Sequence, residues 1–223
     1  MKVWPALLCA CATSMVAPAS AQGCASPPAQ REASAQQIGD FVRGRGQRVL
    51  TFVGYSGAGY EDPAAMHAAA EHVLSLHDPA RTLVNIGGTA VGIGAVYELA
   101  KRRGFSTMGI VSTLARDGGE PLSPCVDWVF FVRDSRWGGR LPGSTQLSPT
   151  SAAIVANSHE MVAIGGGEIA RDELRGARRA GTPLTFFAAD MNHRIARDKA
   201  QAKGQPEPTH FGGTAQAALS PTR

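Results

Sequence analysis

The sequence has few aromatic residues and little charge, and these scarcities exclude several classes of protein. Aromatic side chains make up 6% and charged side chains 18% of the 223 residues. The net charge of +4 is modest, and basic residues gather mainly at predicted helix ends such as 101–103 and 175–179, where they complement the helix dipole. Because few aromatic residues are interleaved with these cations, the pattern argues against a nucleic-acid-binding surface. We expect no nucleic acid partner.

Metal-binding motifs are missing as well. The sequence contains no HExxH motif, no paired CxxC motif and no cluster of aspartates, which are the patterns that commonly hold metal ions. His67, His72 and His77 recur at a spacing that turns each by about 140° from the last on a helix, so they do not share a face. We therefore predict no bound metal and no resident cofactor.

Apolar runs long enough to span a membrane are also absent. The N-terminal run over residues 6–16 is too short for a membrane span. Lys2 precedes it and Ala19-Ser20-Ala21 follows it, a pattern typical of a secretory signal peptide cleaved before Gln22. We predict a signal peptide over 1–21, a linker over 22–31, one domain over 32–203, a flexible tail over 204–223, and a periplasmic or secreted location.

Cysteines are few, and half of them would leave with the signal peptide. Of the four in the chain, Cys24 and Cys125 would remain in the mature protein. They lack the spacing of zinc ligands, and an oxidising compartment would let them pair. The sequence leaves open whether they do.

Glycine, in contrast, is abundant, and it is concentrated in turns that each follow an apolar run and precede a helical pattern. These turns read GYSGAG from Gly54, GGTAVGIG from Gly87 and GGG from Gly165. Glycine lets the backbone approach a phosphate, and a helix N-terminus offers free N–H groups and the positive end of its dipole. We therefore predict these ligand- or phosphate-binding residues: Gly54, Ser56, Gly57, Gly87, Gly88, Thr89, Gly92, Gly165, Gly166, Gly167 and Glu168.

Strand and helix patterns alternate along the chain, which predicts an α/β fold. We expect strands over 48–53, 82–86, 106–112, 127–132, 161–164 and 183–188, and helices over 32–43, 64–76, 92–103, 149–156, 169–180 and 190–202. The strands are continuous apolar runs, as expected when helices cover both faces of a sheet. The predicted fold class is a three-layer, Rossmann-like and mostly parallel sheet with helices on both faces. A long loop over 133–148 is long enough to suggest a function.

Two familiar fingerprints fit only in part. In the second turn, Thr89 stands where the dinucleotide-binding fingerprint needs its middle glycine, and the next predicted strand ends without an acidic residue for the ribose. The first turn resembles the nucleophile elbow of a serine hydrolase around Ser56, with Asp190 and either His193 or His210 following in the right order. The elbow, however, normally follows several strands, so a serine hydrolase stays an alternative.

Taken together, the second and third turns and their flanks resemble the LOG/DprA-like superfamily, which includes the lysine-decarboxylase-like proteins and the cytokinin-activating phosphoribohydrolases. The resemblance covers residues 48–189 and is carried by these segments: 87–88, 92–96, 108–111, 161–167 and 172–174. It implies a Rossmann-like sheet that binds nucleotides or nucleotide-derived ligands. In active members it also implies hydrolysis of the N-glycosidic bond of a nucleoside monophosphate. A homodimer is a further expectation from this resemblance.

The catalytic signature of that superfamily matches this chain only in part. Ile164 stands in place of the proline that begins the signature, and Glu173, or else Asp172, falls on its glutamate. The helix over 149–156 has no counterpart of the arginine–lysine pair of active members. The sequence therefore favours an exported protein that binds a nucleotide or phosphoribose-derived small molecule. The alternative is a phosphoribohydrolase in which Glu173 or Asp172 stabilises the ribosyl cation.

Overall fold

The computed structural model describes Cys24 and residues 28–219. The predicted signal peptide over 1–21 lies outside these residues and stays a prediction. None of the helices in the described ranges is both long and apolar enough to cross a membrane.

The secondary structure alternates between strands and helices. The strands are β1 (Ala29–Glu32), β2 (Arg48–Gly54), β3 (Thr82–Ile86), β4 (Ser106–Ser112), β5 (Trp128–Val132), β6 (Glu160–Ile164) and β7 (Leu184–Phe187). The helices are α1 (Ala35–Arg45), α2 (Pro63–Ser75), α3 (Val96–Arg102), α4 (Thr113–Asp117), α5 (Pro149–Ala156), α6 (Glu168–Arg179) and α7 (His193–Ala202). Short 3-10 helices occupy Gly92–Ala95 and Ala215–Ala218.

The strands form one seven-stranded sheet in the order β1-β5-β4-β3-β2-β6-β7. Every pairing in it is parallel. Helices α2, α3 and α4 contribute to the apolar core on one face, whereas α1, α5 and α6 contribute to the core on the other. The predicted three-layer α/β fold class is thus confirmed.

The strand order reverses between β2 and β6. From β2 the chain adds β3, β4 and β5 on one side, and it then crosses to the other side of β2 to place β6 and β7. In open α/β sheets, ligands bind at such a switch point, in the crevice outside the carboxyl ends of the two strands. The topology therefore makes the ends of β2 and β6 the natural place to look for a site.

Helix starts follow the capping residues. The Asp62 carboxylate accepts a hydrogen bond from the Ala65 amide at 2.8 Å, and Pro63 follows it, as predicted. The helix predicted from Glu32 begins instead at Ala35, because Ser34 and Gln37 form a capping box. The helix predicted from Asp190 begins at His193, because Asn192 caps it.

The predicted linker over 22–31 needs a correction. Its last residues begin β1, which pairs with β5 at the edge of the sheet. Cys24 forms a disulfide with Cys125, three residues before β5. All four residues of β1 are exposed, so this strand carries none of the apolar pattern by which the other strands were predicted.

The predicted flexible tail over 204–223 also needs a correction for the residues that the structure describes. Residues 211–218 return to the sheet, where Ala215 and Ala218 are fully buried against α6. Alanine is too small and too common in loops to mark a packed segment in the sequence, so the contact was missed.

Candidate functional site

The glycine-rich turns lie at one edge of the molecule. They follow β2, β3 and β6, which are adjacent, parallel strands, so their carboxyl ends share an edge. A Cβ atom on Gly92 would lie 2.2 Å from the Tyr55 carbonyl oxygen, and one on Gly166 would lie 3.6 Å from the Gly54 Cα. The three turns are therefore in contact, and Gly92, at a φ of +60°, has no room for a side chain.

Tyr97 holds the second turn to the ends of β3 and β4 through its hydroxyl group. Its buried hydroxyl accepts hydrogen bonds from the amides of Ile86 and Gly88, at 3.0 and 3.2 Å, and lies 2.7 Å from the Met108 carbonyl oxygen, to which it can donate. Burial raises the pKa of this phenol well above its usual range, so the hydroxyl keeps its proton.

Replacing Tyr97 with phenylalanine should therefore loosen the second turn. The substitution leaves buried main-chain groups of β3 and of the turn without this partner, which costs about 2 kcal/mol of unfolding free energy. Chemical denaturation measures the loss, and hydrogen exchange should show faster exchange of the Gly88 amide. An unchanged stability would mean that the hydroxyl does not hold the turn.

The outer part of this edge presents unpartnered amides. Ser56 and Gly57 are exposed, and in the described chain no group accepts a hydrogen bond from their amides. The Lys199 ammonium donates to the Gly57 carbonyl oxygen at 2.8 Å, which places a positive charge beside the turn. Helix α6 begins at Glu168, and its N-cap residue Gly167 has no side chain to cap it, so the first N–H groups of the helix have no partner of that kind. We call the three glycine-rich turns, over 54–59, 87–94 and 165–167, together with the start of α6, the glycine edge.

The inner part of the glycine edge is filled by protein. Gly165 and Gly166 are buried. The ring of Tyr55 lies against Gly165, where a Cβ would come within 2.5 Å of it. The Tyr60 hydroxyl donates to the Ile164 carbonyl oxygen at 2.8 Å and accepts from the Tyr55 amide at 3.2 Å. No open space is thus left between the first and third turns at this point.

Glu173 lies apart from the exposed amides, beneath the 133–148 loop. Its carboxyl group is buried, accepts a hydrogen bond from the Ser151 hydroxyl at 2.7 Å, and lies under Gly138. Burial raises the pKa of Glu173 to about 7, and the neighbouring Asp172 charge adds to this, against the opposing effect of Ser151. A substrate would reach this carboxyl only if the loop opened.

Asp172 anchors the same loop. Its carboxylate accepts a hydrogen bond from the Arg140 amide at 3.2 Å and pairs with the guanidinium groups of Arg140 and Arg171, at 3.3 and 3.1 Å. Both carboxylate oxygens are engaged with the protein. The geometry gives Asp172 a structural role in holding the loop to α6.

The residues of the serine hydrolase alternative are not assembled into a triad. The imidazole Nε2 of His193 lies 3.3 Å from the Asp190 carboxylate, and its Nδ1 lies 3.7 Å from the Glu61 carboxylate. Both ring nitrogens thus face acidic groups. In the part of the chain that the structure describes, no hydrogen bond joins Ser56 to His193 or to His210, and none joins His210 to Asp190.

An open groove lies elsewhere, beside β1. It has a volume of about 540 Å³ and lies between α1, α5 and the ends of β1 and β5, with Glu32, Gln37 and Arg133 among its lining residues. The Glu32 carboxylate accepts hydrogen bonds from Arg133 at 2.7 Å and Arg116 at 3.4 Å. Between Cys24 and residue 219, the described side chains include no group of three His, Cys, Asp or Glu residues that could hold a metal ion.

The three tyrosines of the chain were not predicted to act together. Tyr55, Tyr60 and Tyr97 are the only tyrosines in the sequence, and all three donate or accept hydrogen bonds at the glycine edge. The signal that could have found them is their position within or directly after the glycine turns. Lys199 gave no such signal, because it lies far from the turns in the sequence.

No family model and no curated protein sequence matches this chain. Solved structures that are similar to it include TM1055, a structural genomics target, at 19% identity over 62% of this chain and 72% of that chain, with a TM-score of 0.43. Two structures of the molybdenum cofactor carrier protein from Chlamydomonas reinhardtii are also similar. One has 18% identity over 63% of this chain and 76% of that chain, with a TM-score of 0.45. The other has 16% identity over 78% and 95%, with a TM-score of 0.46. No residue role follows from these similarities.

Proposed function

We propose that this protein binds a nucleotide or another phosphoribose-bearing small molecule at the glycine edge, with the phosphate against Ser56 and Gly57. The observation that carries the proposal is the meeting of three glycine-rich turns at the switch point of a parallel sheet. Unpartnered amides, the start of α6 and Lys199 all favour a negatively charged group there.

The hydrolase alternative receives less support from the geometry. Glu173 and Asp172 are buried and bound to other protein groups, so neither is placed to stabilise a ribosyl cation on a ligand at the glycine edge. Binding without cleavage is therefore the function we propose. A homodimer and a phosphoribohydrolase activity stay predictions of the sequence resemblance alone.

The proposed location is the periplasm or the cell exterior. The N-terminal pattern is that of a secretory signal peptide, and the disulfide between Cys24 and Cys125 is a bond that oxidising compartments favour. The mass of the mature protein, purified from the compartment in which it accumulates, would test this directly: cleavage leaves Gln22 at the N-terminus.

Placing a carboxylate among the exposed amides should weaken phosphate binding strongly. An aspartate fits at Gly57, where the nearest atom to a Cβ would be the Lys199 ammonium nitrogen at 3.7 Å. We expect Gly57→Asp to weaken AMP binding at least tenfold in calorimetric titration, because the new charge repels the phosphate and competes for Lys199.

The control is Gly44→Asp, at an exposed position in α1 with no atom within 4 Å of a Cβ. It adds the same charge far from the glycine edge and should leave AMP affinity unchanged. Inorganic phosphate serves as the minimal probe, and ADP-ribose as the larger one. Equal affinity of Gly57→Asp and the wild type for AMP, or no binding of any probe by the wild type, would refute the proposed function.

A further inference from the structure

The C-terminal segment over residues 211–218 covers the switch-point crevice of its own chain. The amides of Thr214 and Ala215 donate to the Gly166 carbonyl oxygen at 3.1 and 3.0 Å. The Tyr55 hydroxyl lies within hydrogen-bond distance of the Phe211 carbonyl oxygen, at 3.3 Å. The segment therefore lies on the third glycine turn and on the tyrosine that fills the crevice.

The fit between the segment and the turn is close. A Cβ on Gly213, which has a φ of +64°, would lie 2.3 Å from the Gly166 carbonyl oxygen and 2.5 Å from the Tyr55 hydroxyl. A Cβ on Gly166 would lie 3.2 Å from the Ala215 Cβ. Glycine on both sides is what lets the two backbones approach to this distance.

The segment has further polar contacts, since the Met191 amide donates to the Phe211 carbonyl oxygen at 2.9 Å and the Arg197 guanidinium lies 5.3 Å from the centre of the Phe211 ring. Its apolar attachment is nevertheless light. Its fully buried side chains are the methyl groups of Ala215 and Ala218, and the ring of Phe211 is half-buried, stacked on His193 at 3.9 Å. Residues 203–207, which join the segment to α7, are exposed. Few apolar contacts and an exposed connection are the features of elements that open locally without global unfolding.

We propose that residues 211–218 act as an autoinhibitory strap, which occupies the inner part of the ligand crevice and is displaced when a nucleotide binds. This inference rests on the proposed function. In the closed state, the phosphate can reach the exposed amides of Ser56 and Gly57, whereas the strap covers Gly166, where the sugar and base would lie. The ring of Tyr55, which covers the neighbouring Gly165, is held in turn by the Phe211 carbonyl oxygen of the strap. The apparent affinity for the nucleotide is therefore the affinity of the open state multiplied by the fraction of molecules that are open.

Gly213→Ala tests the proposal in the full-length chain. The added methyl group clashes with Gly166 and Tyr55, so it should release the strap. Gly204→Ala is the matched control, because Gly204 has a similar φ of +62° but no atom within 4 Å of a Cβ. A second pair is Ala215→Glu, which buries a carboxylate in the strap, and Gln216→Glu, at an exposed neighbour.

Hydrogen exchange and calorimetric titration with AMP provide two separate readouts. We expect at least tenfold faster exchange of the amides at 214 and 215 and at least tenfold tighter AMP binding in Gly213→Ala and Ala215→Glu, with both controls like the wild type. Faster exchange with unchanged AMP affinity would overturn the strap and leave the proposed function standing. Exchange that stays slow in both strap variants would also overturn it. Faster exchange with no AMP binding by any variant would overturn the proposed function and the strap with it.

Discussion

Removing the disulfide should cost about 5 kcal/mol of unfolding free energy. Cys24 and Cys125 are separated by 101 residues. A cross-link that closes a loop of this length lowers the conformational entropy of the unfolded chain, which destabilises the unfolded state by about that free energy. For a domain of this size the loss lowers the melting temperature by roughly 10–20 °C. The double variant Cys24→Ser with Cys125→Ala should show this loss in thermal and urea denaturation.

The reduced wild type is the natural control for this prediction. A reducing agent should bring the wild type close to the stability of the double variant and should leave the double variant unaffected. The bond also holds the segment before β1 to the edge of the sheet, so amides of β1 should exchange faster without it. A double variant as stable as the oxidised wild type would show that the bond does not constrain the unfolded chain.

Replacing Glu173 with glutamine should remove a large pH dependence of stability. The pKa of Glu173 is about 7 in the folded protein against 4.5 for an ordinary glutamate. Between pH 4.5 and pH 7, Glu173 therefore keeps its proton in the folded state and loses it in the unfolded chain. The contribution of Glu173 to the unfolding free energy is therefore greatest below pH 4.5, falls as the pH rises towards 7, and stays at its lower value above pH 7. The difference corresponds to about 3 kcal/mol.

The glutamine keeps an acceptor for the Ser151 hydroxyl but carries no charge. We expect Glu173→Gln to match the wild type near pH 4.5 and to exceed its unfolding free energy by about 3 kcal/mol at pH 8. Glu168→Gln is the control, because that side chain lies on the same helix with 79% of its surface exposed. Parallel curves of unfolding free energy against pH for the wild type and Glu173→Gln would contradict the assigned burial.

The sequence predicts most of the fold because each strand buried on both faces is a continuous apolar run. β3 and β4 agree with the predicted bounds residue for residue. β1 could not be found in this way, since it is an exposed edge strand of AQRE sequence. Its place in the sheet comes from pairing with β5, about 100 residues away in the chain.

The sequence predicted where the glycine-rich turns lie, but not which groups fill the space between them. Glycines at strand ends mark where a backbone must bend or approach closely, and the three turns do meet at one edge. The sequence does not show which groups approach them. The ring of Tyr55 against Gly165 and the bond from Ala215 to Gly166 join segments that are far apart in the chain. Such contacts follow from the topology and not from a local pattern.

Amide chemical shifts of the full-length protein, followed during titration with AMP, would test the glycine edge most directly. If AMP binds at the glycine edge, saturable shifts will appear at Ser56, Gly57 and the 87–92 turn, and also at residues 211–218 as the strap moves. Shifts confined to the groove beside β1, or no saturable shift at the glycine edge up to millimolar AMP, would contradict the proposed function.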